Sequence, residues 1–527
     1  MRVLGIRRLV AFAAQLALAQ AAVAQDVGSQ DVGAPLSAID WLSQSVEQAG
    51  IGTNLPPVAA ASEPPVAESA ATPEVSVSRL DAPSADLVGL LPGSVTGLPR
   101  DLWSASPEAA LTDLIAAERA ESLPALQDLR MTLMLAEADP PLDAGPAGAL
   151  FLARIDTLLD LGALEPAQAM LETTDGSDPE VFRRWFDVSL LTGSEHEACR
   201  MMAARPSIAP TYPARIFCLA REGAWTDAAL TLATARALGD VTAEEDALLS
   251  RFLDTELFEG EPPLPQPSRI SPLVFRMHEA IGEALPTANL PRAFAHADLR
   301  PTVAWRSQIE AAERLARVGA VSENILLAAY TARVPAASGG VWDRAKAVQA
   351  LDRALMAGDA AAVADALPPA FAAMRNGRTE VAFARMFGTR LAALTLPPSA
   401  ADLAFEIALL TPEYEVAALS HAPANPRTAF LQGVARGDLT GLMSATPAEA
   451  AVADAFGGAM APPEPMAGQI ATGRLGEALL RAMATFNQGL AGDPRAVSDA
   501  LTTLRAIGLE DAARRAALQY LILERSP

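Results

Sequence analysis

Residues 150–172 read LFLARIDTLLDLGALEPAQAMLE, and this stretch decides the fold. In its first half, leucine and isoleucine recur at the three- and four-residue spacing of one α-helical face. Gly162 follows that pattern, at a position where a residue with positive φ readily ends a helix. Pro166 suits the first turn of the next helix, because the N–H that proline lacks would be unpaired there. The stretch therefore predicts two short helices joined by a tight turn.

The same turn recurs along the chain. Gly193 lies 31 residues after Gly162, and Gly223 lies 30 residues after Gly193. Less similar copies end at Gly319, Gly358, Gly437 and Gly508. A period near 30–34 residues, with two helices per unit, is typical of tetratricopeptide-like α-solenoids. We therefore predict an all-α fold, a TPR-like α-solenoid of helix hairpins. The tryptophan and tyrosine of that consensus are missing from most units, so the resemblance is to an architecture and implies no partner.

The composition is typical of a helical protein, and it disfavours some classes of binding partner. The 527 residues suffice for two or three domains or one long solenoid, and 51% of them are hydrophobic, mostly alanine and leucine. Aromatic residues make up only 5%, which favours helices over strands. The formal net charge of −23 disfavours binding to nucleic acid or to anionic lipid surfaces.

The first 24 residues have the features of a secretory signal peptide. Arg2, Arg7 and Arg8 form a basic start, an apolar run follows, and the small residues Ala-Val-Ala end at Ala24. We expect cleavage after Ala24 and a periplasmic protein. No later stretch is long and uncharged enough to predict an integral membrane span.

Residues 25–107 read as a Pro/Ala-rich, acidic and largely disordered arm with two apolar islands. The first island contains Ile39, Trp41 and Leu42, and the second ends at Trp103. These four residues are our candidates for docking onto a partner. The alternative is that the islands fold back onto this chain's own helices, and the sequence leaves both possibilities open.

A resemblance rests on the blocks PLSAIDWLS (35–43), LDAPS (80–84), VGLLP (88–92) and TGLPRDLW (96–103), together with the leader and the alanine-rich body. The chain resembles uncharacterised exported proteins of marine-type alphaproteobacteria, which implies export but no activity. Proteins of this composition are sometimes labelled antifreeze-like. We reject that label, because the sequence has no regular threonine array that could form a flat ice-matching face.

The rest of the chain divides at one proline-rich stretch. We expect helical repeats over residues 108–260, a linker at 261–269, which reads EPPLPQPSR, and further repeats over 270–527. The last predicted hairpin, from Leu475 to Glu524, should cap the solenoid.

The chain has two cysteines, Cys199 and Cys218. One falls on the predicted helix after Gly193 and the other on the helix before Gly223, so the two helices should pack antiparallel. An even pair on adjacent helices of an exported protein predicts a disulfide. Two buried free thiols are the alternative.

Motifs of catalysis are missing from the sequence. The four histidines are scattered without metal-ligand spacing, and no nucleophile elbow or phosphate-binding loop occurs. Residues 441–447, GLMSATP, resemble the Gly-Leu-Met-Gln stretch of lytic transglycosylases, but no Glu-Ser pair lies shortly upstream. We therefore assign no catalytic, cofactor-binding or metal residue and no cofactor, and expect that the protein is not an enzyme.

These observations favour a non-catalytic periplasmic helical-repeat scaffold, or protein-interaction module, that binds proteins of the cell envelope. Its concave groove would hold a partner, and the arm would tether or gate that groove. Two alternatives stay open. One is a peptidoglycan enzyme accessory or degenerate lytic-transglycosylase-like superhelix, and the other is an envelope assembly or motility factor.

Overall fold

The computed structural model describes residues 84–118, 122–145, 147–174, 176–458 and 460–523. These ranges are all-helical, and their 25 α-helices pack mostly against their neighbours in the chain. The predicted all-α fold of helix hairpins is thereby confirmed. The predicted signal peptide and residues 25–83 of the predicted arm lie outside the described residues.

The helices are numbered in chain order, and four short 3-10 turns lie at Ala85–Leu87, Pro206–Ile208, Glu256–Phe258 and Arg292–Phe294. The bounds from α1 to α13 are Gly93–Thr96, Glu108–Ala117, Pro124–Leu135, Ala149–Leu161, Leu164–Glu172, Pro179–Thr192, Glu195–Ala204, Tyr212–Arg221, Trp225–Leu238, Ala243–Leu253, Pro272–Ala280, Ala295–Asp298 and Trp305–Ala316. The bounds from α14 to α25 are Glu323–Thr331, Val341–Ala357, Ala360–Gly377, Glu380–Ala392, Pro398–Ala408, Tyr414–Ser420, Pro426–Arg436, Pro447–Phe456, Met466–Ala471, Leu475–Leu490, Pro494–Ala506 and Glu510–Leu523.

The hairpin of α4 and α5 forms as predicted. Gly162 ends α4 with φ of 77°, which is a left-handed conformation. Glycine adopts this conformation readily, because it has no Cβ to make it sterically costly. Pro166 lies in the first turn of α5. The other six glycines that mark the repeat also have positive φ, and they are Gly193, Gly223, Gly319, Gly358, Gly437 and Gly508. The turn signal in the sequence therefore located the hairpins correctly.

Helix α3 occupies the interior of the molecule. All 12 of its residues are buried, although Gln127, Asp128 and Arg130 are polar or charged. The backbone N–H of Ala125 donates to the side-chain oxygen of Gln519 in α25, at 2.8 Å. Asp128 pairs with Arg385 of α17. Elements from the middle and the end of the chain therefore contribute to the burial of α3.

The two ends of the described chain meet. Helix α2 packs against α23, and α3 packs against α25. Asn487 of α23 donates to the side chain of Glu118, the residue that follows α2, at 3.3 Å. The helices of the expected C-terminal cap therefore pack against the first helices of the described chain.

Residues 84–103 form a segment that we call the N-terminal strap. The backbone N–H groups of Leu90 and Leu91 donate to the carbonyl of Leu135 at the end of α3, at 2.8 and 2.9 Å. A Cβ on Gly89 would lie 2.6 Å from the backbone of Ala136, so glycine permits this close approach. The described part of the predicted arm, residues 84–107, thus packs on the helical body, which is the fold-back alternative for its second apolar island. The reason is its apolar side chains, which the body buries.

Arg154 of α4 ties the strap to α3. Its guanidinium is fully buried and donates to the carbonyls of Met134 and Ala136, both at 2.8 Å, and of Val88, at 2.8 Å. A fourth bond, of 3.3 Å, reaches the carbonyl of Asp86. Burial lowers the pKa of Arg154 to about 10, so the side chain stays charged at neutral pH.

The predicted linker 261–269 does not divide the core. The N–H groups of Leu264 and Ser268 donate to Glu283 and Glu244, at 2.9 and 2.8 Å, which holds the segment on the body. A second core cluster, distinct from the main one, includes buried residues on both sides of this segment, from Phe182 to Met277. The two predicted repeat regions therefore share one hydrophobic cluster.

Replacing Arg154 with methionine should lower the free energy of unfolding by about 3–5 kcal/mol, because it leaves several buried carbonyls without donors. Urea unfolding followed by circular dichroism measures this change. Arg215→Met on α8 is the control, since that arginine is exposed and should change stability by less than about 0.5 kcal/mol. Equal stability of the two variants would show that Arg154 does not hold the strap.

Glu118 makes stability depend on pH. Burial raises its pKa from 4.5 to about 7, against the opposing effect of the Arg130 charge. Between these two values the folded state binds more protons than the unfolded state, so ionisation of Glu118 should lower stability as pH rises from about 4.5 to about 7. Glu118→Gln should therefore raise the free energy of unfolding at pH 8 by about 2 kcal/mol, with little change near pH 4.5.

Urea unfolding of this variant and of wild type at the two pH values tests the idea. Glu137→Gln serves as the control, because that side chain is exposed on a nearby segment. A stability gain for Glu118→Gln that is the same at both pH values would contradict it.

Candidate binding sites

Trp103, one of the predicted docking residues, is an internal anchor. Its side chain is 0% exposed, and its ring lies directly on Gly476 at the start of α23. A Cβ at position 476 would lie 2.4 Å from the ring, and the N–H of Gly476 donates to the carbonyl of Leu102 at 3.0 Å. The chain buries this ring in its own core, which is the second of the two possibilities that the sequence leaves open for this island.

The other three docking candidates, Ile39, Trp41 and Leu42, lie outside the described residues. Their role stays a prediction.

The predicted disulfide is confirmed. Cys199 of α7 and Cys218 of α8 are bonded, with their Cα atoms 5.1 Å apart, and both are buried in the second core cluster. The bridge links consecutive helices that also pack against each other. It therefore reinforces a contact that the hairpin array already makes.

An apolar cleft lies between α17, α18 and α19. It encloses about 410 Å³, a volume within the range of known ligand pockets. Leu391, Leu394, Leu396 and Phe405 form much of its wall. We call this feature the apolar cleft.

The rim of the apolar cleft exposes large hydrophobic side chains. Val416, which lines the cleft, is 64% exposed, and Leu419 on the same short helix is 68% exposed. The ring of His421 stacks on Phe405 with centroids 3.9 Å apart. Gln432 donates to the carbonyl of His421 at 2.7 Å, which fixes the end of α19. The arrangement can accept one apolar side chain and surround it with further apolar surface.

Sequence reasoning did not find this cleft. The residues of α19, YEVAALS, do carry a signal, because both faces of the helix hold large apolar side chains. Tyr414 and Ala418 are buried, whereas Val416 and Leu419 face outward. An apolar outward face on a short surface helix could have indicated an interaction surface.

Two other features are absent from the residues that the structure describes. None of the helices there is both long enough and apolar enough to cross a membrane. The same part of the chain holds no group of three His, Cys, Asp or Glu side chains arranged for a metal ion.

Comparison with protein-family models, with curated proteins and with solved structures finds no match to this chain. The class of the protein is therefore defined by its fold alone. It is an all-α protein in which helix hairpins that follow one another in the chain pack together. The predicted membership of an exported alphaproteobacterial family stays a prediction.

The disulfide should contribute to stability. Replacing both cysteines with alanine opens a loop whose ends are 19 residues apart, and should lower the free energy of unfolding by about 3 kcal/mol. Guanidinium unfolding of the oxidised protein and of the double variant measures the difference. Two titratable thiols in the unfolded, unreduced wild-type protein would contradict the bridge.

Proposed function

We propose that the protein is a non-catalytic helical-repeat scaffold of the cell envelope that binds another protein through the apolar cleft. The observation that carries this proposal is the cleft itself, with Val416 exposed in its lining and Leu419 exposed on the same helix. Single exposed hydrophobic residues are common on soluble proteins and need no explanation. Here one of them, Val416, belongs to the wall of a concave apolar cleft, which is the arrangement that receives an anchor side chain at protein interfaces.

The position of α3 bears on where a partner would bind. Because α3 is enclosed along its whole length, we place the partner at the surface and not against this helix. The apolar cleft lies at the surface, between helices of the second half of the chain. This placement revises the expectation of a partner held in a concave groove.

The negative charge of this chain indicates which residues would flank the partner's apolar anchor side chain. The chain has a formal net charge of −23, and Glu413 lies in the lining of the cleft. An apolar side chain flanked by basic residues would complement this surface, and opposite charge would speed the encounter. We therefore propose a partner segment with one large apolar residue and at least one neighbouring lysine or arginine.

Export and the lack of catalysis are further parts of the proposal. The leader at residues 1–24 supports export, and the disulfide is compatible with an oxidising compartment. The proposed lack of catalysis rests on the sequence, in which the motifs of nucleophilic and metal-assisted hydrolysis are missing.

A photo-crosslinking amino acid at position 416 tests the proposal in intact cells. We expect a discrete crosslinked protein partner from position 416 and none from position 142, where Leu142 is 92% exposed but lies outside the cleft. Mass spectrometry of the crosslinked product identifies the partner and the residue that enters the cleft.

A second variant closes the cleft. Ala401 lies in its lining on α18, so Ala401→Trp should fill the space and reduce the crosslink from position 416 at least tenfold. Leu142→Trp adds the same side chain elsewhere and should leave the crosslink unchanged. Identical crosslinking in all three backgrounds, or crosslinks to many abundant proteins, would overturn the proposal.

A further inference from the structure

A second cavity lies far from the apolar cleft in the chain, between α7, α8, α10 and α11. It encloses about 360 Å³. Its charged wall consists of Glu195, Arg221, Arg276, Glu279 and Arg300, and we call it the charged cavity. These residues come from three helices and from the loop after α12, so the fold, not local sequence, brings them together.

The five side chains alternate in charge. Glu195 lies 3.1 Å from a guanidinium nitrogen of Arg221 and accepts a hydrogen bond of 3.4 Å from Arg276. Arg276 also donates to Glu279, at 2.7 Å, and Glu279 pairs with Arg300. Three guanidinium groups therefore face two carboxylates, which leaves the charged cavity with one formal positive charge in a strongly acidic chain.

The two carboxylates limit what the cavity can hold. Burial alone would raise the pKa of Glu279, but hydrogen bonds from Arg300 and Arg276 outweigh burial and lower it. Glu279 is therefore ionised at neutral pH. Glu195 is 3% exposed, and its Oε2 atom has no hydrogen-bond partner within the described chain. Both carboxylates repel added negative charge, so the single net positive charge of the site suits a ligand with one negative charge better than a ligand with several.

Arg221 is the group best placed to bind that charge. It lies in the last turn of α8, its side chain is 55% exposed, and Glu195 is its one ion-pair partner among the described residues. Most of its five N–H donors are therefore open to a ligand. A guanidinium binds a carboxylate through two parallel hydrogen bonds, which gives both strength and orientation.

Beside these charges the cavity has an aromatic wall. Phe217 of α8 and Phe252 of α10 both line it, with ring centroids 5.5 Å apart and planes only 21° from parallel. Phe217 lies on α8, the helix that also carries Arg221, and Phe252 lies on α10.

We propose that the charged cavity binds a small organic monocarboxylate, with its carboxylate on Arg221 and its apolar body against Phe217 and Phe252. The site is independent of the apolar cleft. It gives the protein a second binding activity, for a small molecule.

Isothermal titration of the full-length mature protein tests the site with three probes. Phenylacetate combines one carboxylate with an aromatic ring, benzyl alcohol keeps the ring without the charge, and inorganic phosphate keeps charge without the ring. We expect saturable binding of phenylacetate, at least tenfold weaker binding of benzyl alcohol, and weaker binding of phosphate. Absence of saturation by phenylacetate up to about 10 mM, or tighter binding of phosphate, would overturn the proposal.

Two variants locate the binding. Arg221→Gln should weaken phenylacetate binding about tenfold, and Phe252→Leu should weaken it with the charge retained. Arg200→Gln on α7 is the matched control, because Arg200 is exposed, pairs with Glu197 and lies outside the cavity. Circular dichroism establishes that each variant is folded. Equal affinity of Arg221→Gln, Arg200→Gln and wild type would show that Arg221 only joins helices and that the proposal is wrong.

Discussion

The buried guanidinium of Arg154 is the interaction on which the rest of the architecture depends. The end of α3 and the N-terminal strap bring carbonyl groups into the interior, where each needs a donor. Arg154 supplies donors to Met134, Ala136 and Val88 from a single side chain. It thereby adds side-chain hydrogen bonds to the backbone bonds by which Leu90 and Leu91 of the strap join the end of α3. Since α3 is buried along its whole length and packs against both α4 and α25, fixing its end also fixes a contact between the two ends of the described chain.

The local parts of this fold could be predicted from the sequence, and the long-range parts could not. A helix hairpin is specified within about 30 residues, because apolar periodicity marks the helices and a glycine marks the turn. Gly162, Gly193 and Gly223 were sufficient to locate three hairpins and to place the two cysteines on facing helices. By contrast, Ala125 and Gln519 are 394 residues apart, and nothing near either residue indicates the other.

Trp103 shows why an apolar island in a proline-rich stretch is ambiguous. The residues around it are equally suited to docking on a partner and to packing against this chain's own helices. What distinguishes the two is Gly476, whose missing side chain leaves space for the ring. The two cavities are similar cases. The apolar cleft draws on three helices and the charged cavity on four and a loop, so neither forms a motif along the chain.

Enclosure of α3 also sets the order in which the molecule can be completed. Synthesis delivers residues 124–135 long before α25, which covers them, so an early chain has this helix without its surroundings. Contacts between distant residues make folding slow, and they leave apolar surface uncovered in the meantime. A nascent chain of this protein therefore carries α3 without its contact to α25 until residues 510–523 have been synthesised.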